Sequence, residues 1–310
     1  MTDSTTLSII VPVFFNEGSL RPLYQALEEV AAGLRKRNTE MQLIFVDDGS
    51  GDGSLAALKE IKRARPETVI VKLTRNFGAV HATKAGMKFV TGDCFVALAA
   101  DMQDPPSLIL EMFDKWRAGS KYVLCARSHR EDPLSSRVFS AIYYRLVRWL
   151  VTKDYPAGGY DMALMDKAFL PFLLDSSKNI NTPLFAYWLG FEPDVIEYVR
   201  GKRLYGKSRW TLGKRVKFFL DSLLGFSILP IRFITGIGLF VSMASFVYGS
   251  LILINAARSR GDVPGFATLA ALIAFLFGLI IIMLGVIGEY IWRIFDEVNK
   301  RPESVIDEIL

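Results

Sequence analysis

Two long runs without a charged side chain limit the structures that this chain can form. Residues 233–257 and 263–288 contain no Asp, Glu, Lys or Arg. A helix of about 20 apolar residues crosses the roughly 30 Å hydrocarbon core of a bilayer. Because a backbone in lipid must satisfy its own hydrogen bonds, each run is predicted to be a transmembrane helix. The linker 258–262 is short, which predicts an antiparallel hairpin.

Basic residues are concentrated on the outer sides of the two runs. They are Lys214, Arg215, Lys217, Arg232, Arg293, Lys300 and Arg301, against Arg258 and Arg260 in the linker. Since Lys and Arg accumulate in short cytoplasmic loops, both termini are expected in the cytoplasm. The sequence therefore predicts a multi-pass protein of the cell (inner) membrane.

The first part of the chain alternates apolar strand-like runs with helical patterns. The predicted strands are Leu7–Val13, Gln42–Val46, Val69–Leu73, Phe95–Ala99 and Tyr122–Ala126, and the predicted helices are 17–37, 54–65, 81–89 and 105–119. Near-continuous apolar strands separated by helices indicate an α/β domain with a mostly parallel sheet covered on both faces. Ligands bind such sheets at the carboxyl ends of the strands.

The run Asp101–Pro106 places polar groups at one of these strand ends. The Asp101 carboxylate and the Gln103 amide are hard oxygen ligands that suit Mg²⁺ or Mn²⁺. The chain has two histidines and two cysteines, too few for a histidine-rich metal site or a disulfide scaffold. The sequence predicts a divalent cation and a diphosphate at this end of the sheet.

Two amphipathic segments and a basic cluster precede or adjoin the uncharged runs. Residues 135–150 and 211–227 place bulky apolar side chains on one helical face and Arg or Lys on the other. Such helices either lie in the membrane interface or pack on the sheet, and the nearby apolar runs favour the interface. The cluster 200–217 favours anionic headgroups or phosphate ligands over nucleic acid.

Four motifs together carry a resemblance to a known family. They are Val11–Glu17, Val46–Ser50 (Val-Asp-Asp-Gly-Ser), Arg75–Gly78 (Arg-Asn-Phe-Gly) and Ala99–Pro106. In combination they resemble glycosyltransferase family 2 and its Rossmann-like GT-A fold. With the two C-terminal helices, the chain from Leu7 to about Lys300 is most similar to the polyprenyl-phosphate glycosyltransferases, which include the bactoprenol glucosyltransferases (GtrB type) and dolichyl-phosphate mannose synthase.

The resemblance implies roles for individual residues. The implied donor-binding residues are Pro12, Asn16, Glu17, Asp47, Asp48, Arg75, Asn76, Gly78 and Asp104. The implied metal ligands are Asp101 and Gln103, and the implied catalytic residues are Asp101, Asp161 and Arg203. Binding of the lipid phosphate or the diphosphate is implied for Arg200, Lys207, Ser208 and Arg209.

Three positions depart from the family pattern or leave its interpretation open. Ala99 replaces the first Asp of the D-x-D run, which removes one possible contact to the metal or ribose. Arg209 replaces the usual Lys, keeping the charge but changing its shape. Asp161 is either a general base, a group that orients the acceptor or sugar, or the cap of a helix over Met162–Phe169.

By the same resemblance, the expected reaction is inverting transfer of a sugar, with UDP-glucose favoured, to undecaprenyl phosphate. GDP-mannose or another nucleotide-sugar is the alternative donor, and a non-catalytic nucleotide-binding membrane subunit is the alternative from another class. A transporter subunit is disfavoured because the two runs contain no ionisable residue. A processive synthase would normally need more spans than two.

The expected organisation has four parts. A GT-A domain covers 1–210, a juxtamembrane amphipathic helix covers 211–230, two transmembrane helices (about 231–257 and 263–290) cover 231–294, and a cytoplasmic tail covers 295–310. The glycines around positions 236–238 and 285–288 allow close packing of the two helices. A homo-oligomer is compatible with a hairpin that needs neighbours to bury its packing faces.

Overall fold

An eight-stranded sheet organises the larger part of the molecule. The computed structural model describes residues 5–127, 144–149, 155–156, 159–177, 181–201, 213, 219, 222, 225–227, 229–258 and 265–310. The strands are β1 Thr5–Val13, β2 Thr39–Asp47, β3 Val69–Leu73, β4 Cys94–Ala97, β5 Tyr122–Arg127, β6 Tyr160–Asp166, β7 Asp194–Tyr198 and β8 Ile306–Ile309. Their order across the sheet is β7-β5-β6-β4-β1-β2-β3-β8.

The helices alternate with the first strands and then dominate the C-terminal third. They are α1 Glu17–Arg35, α2 Ser54–Ala64, α3 Ala79–Met87, α4 Leu108–Arg117, α5 Leu170–Asp175, α6 Thr182–Trp188, α7 Leu229–Arg258 and α8 Phe266–Val298, with a 3₁₀ helix at Lys167–Phe169. Contacts divide the chain into a first unit, Met1–Ser222 with Pro302–Leu310, and a second unit, Leu223–Arg301.

The sheet is mostly parallel, as predicted. β1 pairs in parallel with β2 and β4, β2 pairs in parallel with β3, and β5 pairs in parallel with β7. β6 and β8 run antiparallel to their neighbours. Consecutive residues Ile9, Ile10 and Val11 of β1 are all fully buried, which shows that both faces of the central strands are covered.

Helices α1 and α3 cover the sheet with different side chains. Leu20, Leu23 and Leu27 of α1 are buried in the core, on the helical face that the spacing predicts. α3 lies close to the strands at Gly86, where a side chain would come within 2.6 Å of the Ile10 side chain. The absence of a side chain at Gly86 therefore sets the distance between α3 and the sheet.

The segment that follows residue 159 is a strand, and not the helix that Asp161 would cap in one of the alternatives for this residue. Residues Tyr160–Asp166 form β6, which pairs with both β4 and β5, and only Lys167–Phe169 is helical. The helix over Met162–Phe169 is wrong because Met162–Met165 are buried in succession between β4 and β5, as in a strand that is covered on both faces. Asp161 is thus a strand residue.

The C-terminal tail contains a strand that the sequence does not predict. Ile306–Ile309 forms β8, the edge strand beside β3. α8 continues to Val298, so the expected tail 295–310 begins inside this helix. The first unit therefore contains both the first and the last strand of the described chain.

The second unit consists of two long apolar helices. The stretches Ile231–Leu251 and Phe275–Val298 are long and apolar enough to cross a membrane. Large apolar side chains such as Phe240, Phe246 and Ile281 are exposed, which suits a lipid environment. A side chain at Gly238 would lie 3.2 Å from the Met283 Cε atom, so the helices approach closely there.

The two predicted interfacial helices lie largely outside the described residues. Of the segment 135–150, positions 144–149 are helical, with Val147 buried and Trp149 exposed. Tyr144 stacks on Tyr155 at a ring distance of 6.0 Å. Of the segment 211–227, only isolated positions are described, and Ser222 among them is buried.

We expect Phe45→Ala to destabilise the first unit by about 3–5 kcal/mol, because this fully buried β2 side chain fills the core between sheet and helices. The matched control is Phe172→Ala, at a half-exposed α5 position, which should cost less than about 1 kcal/mol. Chemical denaturation of the detergent-solubilised protein, followed by circular dichroism, measures both. Equal losses would contradict the assigned core.

Candidate functional site

The polar ends of the central strands meet at one edge of the sheet because β4, β1, β2 and β3 are parallel neighbours. The loop after β1 is joined to the loop after β2 by backbone–side-chain hydrogen bonds. The Phe15 amide donates to Ser50 Oγ at 3.1 Å, and the Asn16 amide donates to Ser54 Oγ at 2.9 Å. Glu17 accepts from the Gly53 amide at 3.1 Å. These bonds fix the predicted donor-binding motifs against each other.

Asp48 connects the loop after β2 to the loop Arg75–Gly78 after β3. Its carboxylate accepts hydrogen bonds from the Phe77 amide at 2.7 Å, the Gly78 amide at 2.9 Å and the Asn76 side-chain amide at 2.7 Å. Burial raises the pKa of the Asp48 carboxyl, and the two backbone donors oppose that rise. The buried Asp48 carboxylate therefore fixes the conformation of the Arg75–Gly78 loop.

Two glycines let the backbone of these loops approach. Gly49 has a φ of 70°, and a side chain there would come within 2.7 Å of the Arg75 backbone. Gly78 has a φ of 99° immediately before α3 begins. Both conformations favour glycine. The exposed Arg75 guanidinium lies 4.2 Å from the centre of the Phe77 ring.

The loop after β4 carries the predicted metal ligands on one tight turn. Met102 adopts a positive φ of 58°, and the Gln103 amide donates to Asp101 Oδ1 at 3.2 Å. Gly201 anchors this turn from the end of β7, since its amide donates to the Gln103 carbonyl at 3.0 Å. Gly201 directly precedes the basic segment 202–209 in the sequence.

A buried carboxylate, Asp104, and a partly buried one, Asp161, share one tyrosine hydroxyl beside this turn. Tyr198 contacts both Asp104 and Asp161, with a distance of 2.9 Å to Asp161 Oδ2. Arg127 forms a two-pronged ion pair with Asp161. Arg200 lies between the acids, 3.0 Å from Asp104 Oδ1 and 3.6 Å from Asp161 Oδ1.

The two carboxylates of this cluster have opposite electrostatic character. Burial raises the pKa of Asp104, and Arg200 opposes the shift only in part. Burial acts on Asp161 in the same direction, but Arg127 and Arg200 outweigh it and hold the pKa of Asp161 below its usual range. Burial and the neighbouring carboxylates raise the pKa of Tyr198. Asp161 is thus an ionised carboxylate over the physiological pH range.

The residues of the β4 turn fit a divalent cation. Asp101 and Gln103 are both partly exposed on the same turn, and they offer a carboxylate and an amide, the oxygen donors that Mg²⁺ and Mn²⁺ prefer. Among the residues that the structure describes, no group of three or more His, Cys, Asp or Glu side chains is placed to hold a metal. Such a site needs diphosphate and water oxygens to complete an octahedron.

The structure brings most predicted site residues to this edge of the sheet and gives some of them internal partners. Pro12 is the penultimate residue of β1, and Asp47 is buried at the end of β2, where its Oδ1 accepts from the Ser50 amide at 3.2 Å. Arg200, predicted to bind phosphate, is paired with Asp104 and Asp161. Arg203, Lys207, Ser208 and Arg209 lie outside the described residues.

Arg127 and Tyr198 are site residues that the sequence reasoning missed. They end β5 and β7 and lie opposite each other in the parallel pairing of these strands. β5 itself was predicted, so an arginine at its carboxyl end is a recognisable signal. β7 is short and its pattern of burial is irregular, which leaves Tyr198 without a clear sequence signal.

Comparison with known proteins supports the resemblance. Residues 8–165 match the family model described as glycosyl transferase family 2. The chain is 33% identical to an uncharacterized glycosyltransferase, YkcC, of Bacillus subtilis, over 97% of this chain and 93% of that protein. It is also 33% identical to the SfII prophage-derived bactoprenol glucosyl transferase of Shigella flexneri, over 97% of each chain.

A solved structure of a mycobacterial protein shares the fold. It superposes on 71% of this chain and 74% of its own length with a TM-score of 0.51, at 16% sequence identity. Together with the mostly parallel sheet and the family match, this confirms the predicted GT-A architecture of the first unit.

We expect Tyr198→Phe to destabilise the first unit by about 1–3 kcal/mol, because the buried Asp104 and the partly buried Asp161 lose a shared hydroxyl partner. The control is Tyr24→Phe, which removes a hydroxyl that interacts with Glu28 near the surface and should cost less than about 1 kcal/mol. Denaturant titration of both variants gives the comparison. A Tyr198→Phe protein as stable as the control would contradict the shared hydrogen bonds.

Proposed function

Because the chain belongs to glycosyltransferase family 2 and is therefore a glycosyltransferase, we propose that it transfers a sugar from a nucleotide-sugar to the phosphate of a polyprenyl phosphate. The observation that carries this proposal is the likeness to the Shigella flexneri bactoprenol glucosyl transferase, which spans 97% of each chain. That range includes both apolar helices of this chain, so the likeness is not confined to the nucleotide-sugar domain.

The favoured donor is UDP-glucose, and the favoured acceptor is undecaprenyl phosphate. The acceptor phosphate oxygen attacks the anomeric carbon from the face opposite the diphosphate, the bond from that carbon to the diphosphate breaks, and the configuration inverts. The products are a polyprenyl-phosphate sugar and a nucleoside diphosphate. GDP-mannose or another nucleotide-sugar gives the same reaction with a different sugar.

The donor is proposed to lie at the polar edge of the sheet, against the loops after β1, β2 and β3. Asn16, Asp47 and Arg75 are proposed to contact the donor, with Pro12, Glu17, Asn76 and Gly78 in the same loops. Asp48 and Asp104 contribute by holding the surrounding structure, since Asp48 supports the Arg75–Gly78 loop and Asp104 pairs with Tyr198 and Arg200.

Asp101 and Gln103 would hold Mg²⁺ or Mn²⁺ at the turn after β4. Such an ion, when bound, neutralises charge on the departing diphosphate. The chain's own contribution is to fix the two ligands on one turn, which Met102 and the Gly201 anchor shape. Arg203 and the basic residues Lys207, Ser208 and Arg209 are proposed to bind phosphate groups of donor or acceptor.

Asp161 is proposed to orient charged groups and not to act as a general base. A base must be able to take up a proton near neutral pH, and the Arg127 and Arg200 guanidiniums hold the pKa of Asp161 below its usual range. The acceptor does not need such a base, because a phosphate monoester with a second pKa of about 6 is already mostly dianionic at pH 7. Asp161 instead keeps two arginines in place beside the reacting phosphates.

The enzyme is proposed to be a multi-pass protein of the cell membrane with both termini in the cytoplasm. The excess of Lys and Arg outside the linker supports this orientation. β1 and β8 belong to one sheet, so the two ends of the chain lie on one side of the membrane. The product sugar-lipid would therefore be formed in the cytoplasmic leaflet, where nucleotide-sugars are available.

We expect the purified protein with undecaprenyl phosphate and Mg²⁺ to transfer label from UDP-glucose into the extracted lipid. Asp101→Asn should reduce this transfer about a hundredfold or more. The variant would lack the carboxylate ligand of the divalent cation that neutralises charge on the departing diphosphate. The control Asp114→Asn removes an exposed carboxylate that pairs with Arg37 far from the site and should leave the rate unchanged.

The choice of donors separates the alternatives. Label from GDP-mannose or another nucleotide-sugar would keep the reaction and change the sugar. A folded protein that labels no lipid with any donor would contradict the transfer and support a nucleotide-binding membrane subunit.

The rate should fall as the pH drops through the second pKa of the lipid phosphate, about 6, because protonation weakens the nucleophile. Asp161, whose pKa lies below the usual range, stays ionised from pH 5 to 8. Its titration therefore adds no change of rate, or step, to the pH–rate profile in this range. Asp161→Asn should therefore lower the rate at every pH without moving this step. A step that disappears in the variant would identify Asp161 as the base.

A further inference from the structure

The C-terminal tail lies against elements on both sides of the Arg75–Gly78 loop. We propose that Pro302–Leu310, here called the strap, positions this loop for nucleotide-sugar binding, with Glu303 and Lys84 as its positioning residues. The inference rests on the proposed function, since it assigns the strap to the donor half of that reaction. It adds residues that none of the sequence motifs contains.

The strap first fixes the strand that leads into the loop. Leu310 and Ile70 exchange two backbone hydrogen bonds of 2.8 and 2.9 Å, and β8 pairs with β3 between these residues and the loop. The Thr74 amide donates to the Val305 carbonyl at 3.0 Å, one residue before Arg75. Without the strap, this side of β3 would be an unpaired sheet edge.

A salt bridge between side chains of β3 and β8 accompanies the backbone pairing of these strands. Lys72 Nζ lies 2.6 Å from Asp307 Oδ2. Both side chains are partly exposed to solvent, so the pair contributes little by itself to the stability of the fold. The pair joins β3 to β8 where their register shifts, between Lys72 and Leu73, shortly before the loop.

The strap also fixes the helix that leads out of the loop. α3 begins at Ala79, directly after Gly78, and its Lys84 side chain is only 6% exposed. Lys84 Nζ is 2.7 Å from Glu303 Oε1, and it also donates to the Ser176 carbonyl and hydroxyl oxygens. Glu303 is the one carboxylate that the described contacts give this buried ammonium group.

Loss of the Lys84–Glu303 ion pair is expected to move α3 and, through it, the Arg75–Gly78 loop. Glu303→Ala leaves a buried ammonium with only neutral acceptors, which is destabilised. Loss of either side chain also removes the ion pair that joins α3 to the strap, so α3 is expected to shift in each variant. The first residue of α3 is joined to Gly78, whose amide, with that of Phe77, is held by Asp48. A shift of α3 therefore loosens the loop that Arg75 and Asn76 present to the donor. The turn with Asp101 and Gln103 follows a different strand, β4, and keeps its own hydrogen bonds to Gly201 and within the turn.

The test compares Glu303→Ala, Lys84→Met and the double variant in the full-length protein. Each is expected to raise the KM for the nucleotide-sugar about fivefold, a size typical of contacts that act on a site through other residues, with kcat and the KM for undecaprenyl phosphate changed less than about twofold. The double variant should match the single ones, because the two residues act as one unit.

Lys167→Ala is the matched control. It removes an ion pair with Asp93 at the opposite edge of the strands, 2.8 Å long and within the same unit. This variant should leave the KM for the nucleotide-sugar unchanged. Additive effects of the Glu303 and Lys84 changes, an equal rise in both KM values, or the same rise in Lys167→Ala would overturn the proposal.

Equilibrium binding of UDP and of GDP, each with Mn²⁺, separates failure of the strap from failure of the reaction. Titration calorimetry should show the bound nucleotide about fivefold weaker in both single variants, whether or not any lipid is labelled. Wild-type protein that binds a nucleotide but labels no lipid overturns only the proposed reaction. Unchanged nucleotide affinity in the variants overturns the strap, and wild-type protein that binds no nucleotide overturns both.

Discussion

The parallel pairing of β1 with β2 on one side and β4 on the other is the constraint on which the site depends. Parallel strands end at the same edge, so polar residues that are far apart in sequence emerge together. The buried apolar strands drive this arrangement, because they must be covered by helices on both faces. The short loops that follow the strands are then free to carry charge without disturbing the core. Asp48 illustrates the result, since its carboxylate belongs to the end of β2 but its three donors come from the end of β3.

The buried ions around Asp161 explain how this charged edge is stable. Two carboxylates that share a site would repel each other, and burial would favour protonation of both. Arg127 and Arg200 supply the compensating charge, and the Tyr198 hydroxyl bridges the acids without adding charge. The arrangement pairs Asp161 with two arginines, and this pairing is the reason that we propose a supporting role for it and not that of a base. The proposed acceptor, a phosphate monoester that is mostly dianionic at pH 7, would need no such base.

The sequence predicts the first five strands, most of the helices between them and the loops that carry the motifs, because these depend on local apolar patterns and on residues close together in the chain. It does not predict β6, β7 or β8, since the pairing partners of these strands lie far away in the chain. Lys72 and Asp307, for example, are separated by 235 positions. Lys84 is missed for a related reason: a lysine in a helix is normally solvent-facing, and the partners of its buried ammonium, Ser176 and Glu303, lie 92 and 219 positions away in the chain. Arg127 could be predicted as the end of β5, but its ion pair with Asp161 requires the β5–β6 pairing.

The position of β8 also constrains how the chain can cross a membrane. The two apolar helices are inserted in the chain between Ser222 and Pro302, and the segments on both sides belong to one folded unit. A strand can join the sheet only on the side of the membrane where the sheet is, so the number of crossings between these points must be even. Two helices long enough to span the bilayer satisfy this requirement, and they do so independently of the charge distribution. β8 can pair only after both helices have been synthesised, so completion of the sheet beside the Arg75–Gly78 loop follows synthesis of the segment Leu223–Arg301.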